Sequence, residues 1–308
     1  MIEVVNLVKR YKELLALDHF NLEVKDGEIF GLLGPNGSGK TTLINCILSL
    51  LTYDKGEIKV FGEKLTPNSY ELKKKIGLVP QELAIFENLT VYENIDYFCG
   101  LYVEDSKKRK ELVEEAIDFV DLNDYRKFTP KKLSGGLKRR LNIACGIAHK
   151  PDLIFLDEPT VAVDAQSRNF MLEGVKKLNR DGATIVYTSH YLEEVEAIAK
   201  RVAIMDKGRN LVEGTTADLK KMVSVKEKIN IKLMGEHDIE QDLKDLSNVS
   251  QVDREDETYS ISFAKTGNNI EHVFKLLRDR EINYTEINVL KPTLNDVFLE
   301  LTGKELRD

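Results

Sequence analysis

Cysteine is scarce in this 308-residue chain. Cys46, Cys99 and Cys145 lie far apart with no CxxC spacing, which argues against a disulfide framework or a cysteine metal site. All three fall on helix-like stretches and read as small buried residues. Long hydrophobic runs are missing too. The longest, around residues 29–33 and 43–51, are far short of the ~20 residues that a membrane helix needs. The opening MIEVVNLVKRY has no charged start leading into an apolar segment and a cleavage site, so the chain is expected to be cytoplasmic. Positive charge is not in excess: 45 Lys and Arg stand against 52 Asp and Glu, a net charge of −7. The short basic clusters at 73–75, 107–110 and 138–140 are interleaved with acidic or apolar residues. No nucleic-acid partner is expected on electrostatic grounds, and the first two clusters read as solvated faces. There is no Asn-Lys-x-Asp run, so nothing points to a guanine reader.

What is present begins at residue 34. The stretch GPNGSGKT comprises Gly34, Pro35, Asn36, Gly37, Ser38, Gly39, Lys40 and Thr41, with Thr42 following. It fits GxxxxGK[ST] in full, and it lies between the strand-like EIFGLL and the helix-like TLINCILSLL, where a phosphate-binding loop belongs. Glycines let successive backbone N–H groups turn inward on the α- and β-phosphates, and the dipole of the following helix adds positive potential. Lys40 would reach the β- and γ-phosphates, and the Thr41 hydroxyl a Mg²⁺ ion.

Strand-like and helix-like segments alternate to about residue 215, the pattern of a parallel-rich α/β sheet. PDLIFLDEPT (151–160) is an apolar run delivering two carboxylates to its C-terminal edge, where such sheets bind ligands. Alone, Asp157 and Glu158 also fit a loop-edge charge pair. Behind a P-loop, Asp157 would hold Mg²⁺ and Glu158 would deprotonate the attacking water. ATIVYTSH ends in His190 and IGLVPQ in Gln81, both ordinary surface residues by themselves, and both at strand ends facing the same crevice. Finally LSGGLKRRL (133–141) sets Gly135 and Gly136 before a basic helix-like run, a place where N–H groups can grip an anion.

In this order the parts resemble the nucleotide-binding subunit of an ATP-binding-cassette (ABC) protein over residues 1–215: Walker A at 34–41, Q-loop at Gln81, signature LSGG at 133–136, Walker B at 153–157 followed by Glu158, D-loop at 161–164 with Asp164, and switch His190. The resemblance implies a P-loop ATPase fold with a parallel-rich core sheet, N-terminal antiparallel strands and an inserted helical subdomain at about 85–150. It implies ATP and Mg²⁺ as cofactors, with Gln81, Glu158 and His190 catalytic and Thr41, Gln81 and Asp157 on the metal. It also implies head-to-tail homodimers, in which Ser134, Gly135 and Gly136 close on the γ-phosphate held by the partner's P-loop. Tyr11 is implied to stack on adenine; taken alone it also fits a half-buried core tyrosine. Two departures stand out: Leu137 follows the glycines where many members have Gln, and the D-loop reads Ala162-Val163-Asp164 rather than Gly-Leu-Asp.

After a linker at 216–226, residues 227–308 read strand-helix-strand-strand-helix-strand, a ferredoxin-like α+β unit with no catalytic constellation. It ends in PTLNDVFLELTGKEL, where Leu294, Val297, Phe298 and Leu301 share one helical face and Gly303 is placed to cap the C-terminus. This ending is similar to that of daunorubicin-resistance and sodium-exporter ATPase subunits. The resemblance therefore implies an exporter energised through separately encoded transmembrane permease subunits, with the chain peripheral on the cytoplasmic face and its C-terminal unit regulatory or dimerising. Phe86, Tyr92, Tyr97 and Phe98 fit either a cleft for a permease helix or the core. The alternative is a soluble ABC ATPase acting on ribosomes or DNA; the paired cassettes, heptad arms and zinc cysteines of such proteins are not visible here.

Overall fold

The computed structural model describes residues 1–303 apart from 162 and 236. Ala162 of the D-loop and the tail at 304–308 therefore lie outside the described residues. The chain divides into two compact units, the first Met1–Thr216 and the second starting at Ala217.

In the first unit, strands β1 (Ile2–Tyr11) and β2 (Leu14–Val24) alternate buried and exposed residues over parts of their length, as in a sheet with one solvated face. They pair antiparallel. Strand β3 (Ile29–Leu33) and helix α1 (Lys40–Ile47) come next, and then β4 (Lys55–Val60), which pairs antiparallel with the other side of β1. Helix α2 (Tyr70–Lys73) and β5 (Ile76–Val79) lead into the helical insertion of α3 (Val91–Gly100), α4 (Ser106–Phe119) and α5 (Gly135–Ile147).

The chain then returns through β6 (Leu153–Asp157), α6 (Ala165–Arg180), β7 (Thr184–Ser189), α7 (Leu192–Ile198), β8 (Arg201–Asp206) and β9 (Arg209–Thr215). The resulting sheet has the order β5-β6-β7-β3-β8-β9, parallel throughout except for the antiparallel edge strand β9. Every residue of β3, β6 and β7 is buried, which is why these strands read as unbroken apolar runs rather than alternating ones. Gly31 in β3 is required by packing: a Cβ there would meet Val195 Cγ1 of α7 at 2.3 Å. The main core joins the antiparallel sheet to one face of the parallel one, with Leu43, Ile44 and Ile47 of α1 packed among Ile2, Phe20, Phe30 and Phe155. Because the parallel strands run the same way, the segments leaving β3, β5, β6 and β7 emerge at one edge, the ligand-binding edge of such sheets.

Capping fixes the helices of the insertion. Thr90 and Glu93 form a reciprocal capping box at the start of α3, and Asp105 caps α4. Asn94, fully buried, donates to the carbonyls of Phe86, Leu89 and Thr90 and accepts from Phe86 N, so the approach to α3 is held from within.

Helix α8 (Thr216–Met222) follows β9. The second unit then runs β10 (Glu227–Leu233), α9 (Glu240–Lys244), β11 (Val249–Glu255), β12 (Thr258–Phe263), α10 (Asn269–Asp279) and β13 (Tyr284–Leu290). Its sheet is antiparallel in the order β11-β12-β10-β13. Alternate residues Ile229, Ile231 and Leu233 of β10 and Tyr259, Ile261 and Phe263 of β12 pack with Leu243, Val273 and Leu277 from the helices. This is the ferredoxin-like pattern, one helix-covered face with period-two burial. Helix α11 (Leu294–Thr302) has a capping box at Thr293 and Asp296 and ends at Gly303, φ +67°. Leu294, Val297 and Phe298 are buried, whereas Leu301 is 40% exposed.

Candidate active site

The loop from β3 to α1 is built by close approach. A Cβ on Gly34 would lie 2.4 Å from the Met205 carbonyl, and Gly39 sits at φ +109° as the N-cap of α1, a conformation that disfavours side chains. Ser38 is buried; its N–H donates to Pro35 O and its carbonyl accepts from Gly208 N. Lys40 folds back under the loop, donating to Gly34 O at 2.8 Å and Pro35 O at 3.3 Å.

At the end of β6, Asp157 and Glu158 are both buried and have separate partners. Asp157 Oδ2 accepts from Thr41 Oγ1 at 2.8 Å, and its Oδ1 from Thr188 Oγ1 at 2.6 Å. Glu158 Oε1 lies 3.1 Å from Lys40 Nζ, while Oε2 is 3.1 Å from His190 Nδ1 and 3.5 Å from Gln81 Nε2. Burying an ammonium and a carboxylate is costly unless both are paired and hydrogen-bonded, as they are here. Glu158 also has φ +47°, a left-handed conformation costing about 1–3 kcal/mol for a non-glycine residue and typical of functional sites. Its N–H is held by the Thr188 carbonyl and hydroxyl.

Lys40, Thr41, Gln81 and Glu158 among these groups line a cleft of about 400 Å³. The P-loop contributes Asn36, Gly37, Gly39, Lys40, Thr41 and Thr42; Tyr11, Gln81 and Glu158 complete the wall facing them, with Lys207 and Gly208 beyond. Tyr11 is 43% exposed, and Lys9 Nζ lies 5.1 Å from its ring centroid, so it is a surface aromatic rather than core. The structure therefore brings together the sequence-derived residues from the P-loop, Q-loop, Walker B and switch positions.

It does not bring the signature with them. Ser134, Gly135, Gly136 and Asp164 are absent from the cleft wall and meet each other elsewhere. Ser134 caps α5 and Asp164 caps α6, and a Cβ on Gly136 would approach Ser167 Oγ at 2.9 Å and Asp164 Oδ2 at 3.5 Å. Ser134 and Gly135 are exposed, with open space where a Gly135 Cβ would be.

Sequence reasoning missed several supporting residues. Thr188, which holds the Asp157 carboxylate and the Glu158 backbone N–H in place, reads as an ordinary β-branched strand residue. Arg139, in the basic cluster 138–140, is buried and donates to the Gln81 carbonyl at 2.6 Å; burial pulls its guanidinium pKa down. Asn142 on the same helix holds Pro80 O and Ala84 N, so α5 carries the signature at one end and grips the Q-loop with its side. The cysteines behave as expected of buried thiols, burial raising Cys46 and Cys99 to about 11.

The ABC transporter family model matches residues 17–161, and a model for the C-terminal domain of DrrA1-3-like ATP-binding proteins matches 214–302. Over the whole of both chains, the sequence is 36% identical to the linearmycin resistance ATP-binding protein LnrL of Bacillus subtilis (strain 168). The chain belongs to the ABC transporter ATP-binding proteins. ATP hydrolysis is the characteristic activity of that family. The chain is also 32% identical, along its full length and 87% of the relative, to the Nod factor export ATP-binding protein I of Sinorhizobium fredii (strain NBRC 101917 / NGR234). Among solved structures it resembles the dimeric post-hydrolysis state of the cassette MJ0796 bound to ADP and Pi, with a TM-score of 0.65 at 30% identity, covering 70% of this chain and 98% of that one.

Proposed function

We propose that this cassette is the ATP-hydrolysing subunit of a membrane exporter, acting as a head-to-tail homodimer on separately encoded transmembrane permease subunits at the cytoplasmic face of the membrane. The observation that carries the dimer is the separation of the two anion-binding elements. The exposed N-terminus of α5, with Ser134, Gly135 and Gly136, lies off the wall of its own chain's cleft, so its donors serve a nucleotide held by a second copy. The dimeric state of the related MJ0796 cassette supports a dimer here.

In this mechanism Tyr11 stacks on adenine, and the N–H groups of the loop from Gly34 to Gly39, with Lys40 and the start of α1 at Thr41 and Thr42, hold the phosphates. Thr41, Asp157 and Gln81 offer hard oxygen donors, and the 2.8 Å approach of the Thr41 hydroxyl to Asp157 gathers two of them; that set suits Mg²⁺. Held by these residues, the metal would supply neutralisation of the phosphate charge. Gln81 orients the attacking water, and Glu158 accepts its proton. The new oxygen–phosphorus bond forms as the β–γ bridging oxygen departs with ADP. His190 fixes the Glu158 carboxylate and stabilises the γ-phosphate charge. Asp164 orients the neighbouring signature element. Release of the γ-phosphate removes the contacts that favour the closed pair, and the dimer opens.

Export is supported by the relative named for Nod factor export. A docking surface for a permease helix is supported by an apolar groove of about 290 Å³ bordered by Leu48, Leu50, Leu78, Phe98 and Leu101. Phe86 and Tyr97 stand exposed beside Phe98, their rings 4.9 Å apart, whereas Tyr92 is partly covered by Arg126. No helix among the described residues is long and apolar enough to cross a membrane, so the bilayer span is assigned to the permease. Residues 227–308 serve as an accessory regulatory domain, and the cassette needs no nucleic acid.

The test is affinity purification of tagged Glu158→Gln from detergent-solubilised cells in ATP and Mg²⁺, with mass spectrometry of what co-purifies. A multi-span membrane protein at near-equal amount is expected. Recovery of ribosomes or DNA-repair proteins in its place would transfer the cassette to the non-transport ABC ATPases.

A further inference from the structure

Behind the cleft lies a third buried carboxylate, one with no part in the mechanism above. Glu194, in α7, is 3% exposed. Its Oε2 accepts three hydroxyls, from Thr160 at 2.7 Å, Tyr187 at 2.8 Å and Ser189 at 3.2 Å, and its Oε1 lies 3.2 Å from Arg168 Nε, an ion pair without hydrogen-bond alignment. These four partners come from three segments next to the proposed hydrolytic residues, Tyr187 and Ser189 sharing β7. Thr160 is two residues beyond Glu158, and Tyr187 flanks Thr188. Ser189 precedes His190, and Arg168 lies in the first turns of α6, the helix capped by Asp164.

The consequences for His190 are direct. The Ser189 hydroxyl donates to Glu194 and accepts from Tyr191 N at 2.8 Å, so the backbone is tied on both sides of the switch histidine. Tyr191 packs on the His190 ring at 4.0 Å and carries Arg168 on its own face at 4.8 Å. On the other strand, Glu158 is held in a left-handed conformation that persists only where its surroundings over-determine it. The Thr188 contacts secure it from one side, and the bond from Thr160 to Glu194 secures the turn beyond it. Burial beside Glu194 raises the Tyr187 phenol well above its ordinary pKa, so it remains a proton donor to the carboxylate.

We propose that Glu194 is a positioning residue for ATP hydrolysis: one buried carboxylate binds the Walker B exit, the switch strand and the D-loop helix into a single rigid unit that sets the geometry of Glu158 and His190. This rests on the reading of those two residues as the hydrolytic pair. A neutral amide at 194 keeps the volume but loses the ion pair and weakens three hydroxyl bonds at once.

The experiment is steady-state ATP hydrolysis by the full chain over a range of ATP concentrations. Glu194→Gln is expected to lower kcat about tenfold or more while KM stays within about twofold, because Glu194 does not line the nucleotide cleft. Glu194→Asp should recover part of the lost kcat, and Ser189→Ala, which deletes one hydroxyl, should lower kcat less with KM again unmoved. Wild-type kcat in Glu194→Gln, or a KM raised in step with the loss of kcat, would overturn the proposal. If Glu194→Gln does not fold, an unchanged kcat in Ser189→Ala overturns it instead. Glu158→Gln separates the two readings. An inactive Glu158→Gln beside a fully active Glu194→Gln sinks the positioning role alone, whereas a fully active Glu158→Gln removes the hydrolytic pair that Glu194 is said to position.

Discussion

Lys40 illustrates how much of the site depends on one side chain. Its ammonium meets two loop carbonyls and the Glu158 carboxylate, with both charged groups 5% exposed. In that setting it keeps a buried acid paired, and the proposed mechanism has it serve the phosphates as a point charge. Lys40→Ala is expected to raise the dissociation constant for ATP by about tenfold or more, since charge-assisted contacts of this kind are worth roughly 1.5–3 kcal/mol each. Titration with a fluorescent ATP analogue reads this, and unchanged affinity would remove Lys40 from the phosphate site. At this scale the sequence exposes residues whose position in a pattern is unusual. Lys40 completes a spaced motif, and Glu158 and His190 end apolar strands. It hides residues whose pattern is ordinary. Thr188 sits in ATIVYTSH as a normal strand residue, and Glu194 in YLEEVEAI reads as an acid on the wet face of a helix. Its burial follows only once α7 has packed on Gly31 of β3.

Among the elements, α5 joins the most functions. Ser134 caps it, Gly135 and Gly136 open it, and Arg139 and Asn142 tie its flank to the Q-loop backbone. The signature end and the Gln81 backbone are therefore joined through one helix. Gly135→Asp separates stability from function at this helix. The site has room for a Cβ, an acid at a helix N-terminus is favourable by about 0.3–1 kcal/mol, and replacing glycine within a helix removes an entropic cost. The variant monomer is expected to melt at or above the wild-type temperature, yet to lose ATP-driven association because its carboxylate repels a partner's γ-phosphate. Retained association would show that the glycine pair does not meet phosphate. The elements themselves were legible wherever burial leaves a pattern, in the unbroken runs of β3, β6 and β7 and the period-two strands β10 and β12. What the pattern does not carry is the lateral grip of α5 on the Q-loop, which depends on tertiary contact between residues about 60 apart in sequence.

At the scale of the whole molecule, the proposed head-to-tail closure makes the cleft and the signature two halves of one site, and the signature residues do not line the cleft of their own chain. The sequence reveals this only through resemblance, since nothing in LSGGLKRRL states where its anion comes from. The most direct measurement is sedimentation velocity of Glu158→Gln, in which hydrolysis is suppressed, with ATP and Mg²⁺ and separately with ADP. A dimer in ATP that returns to monomer in ADP, and that disappears when Gly135→Asp is added, is expected. A monomer in both nucleotides, or a dimer indifferent to either, would contradict ATP-driven head-to-tail closure.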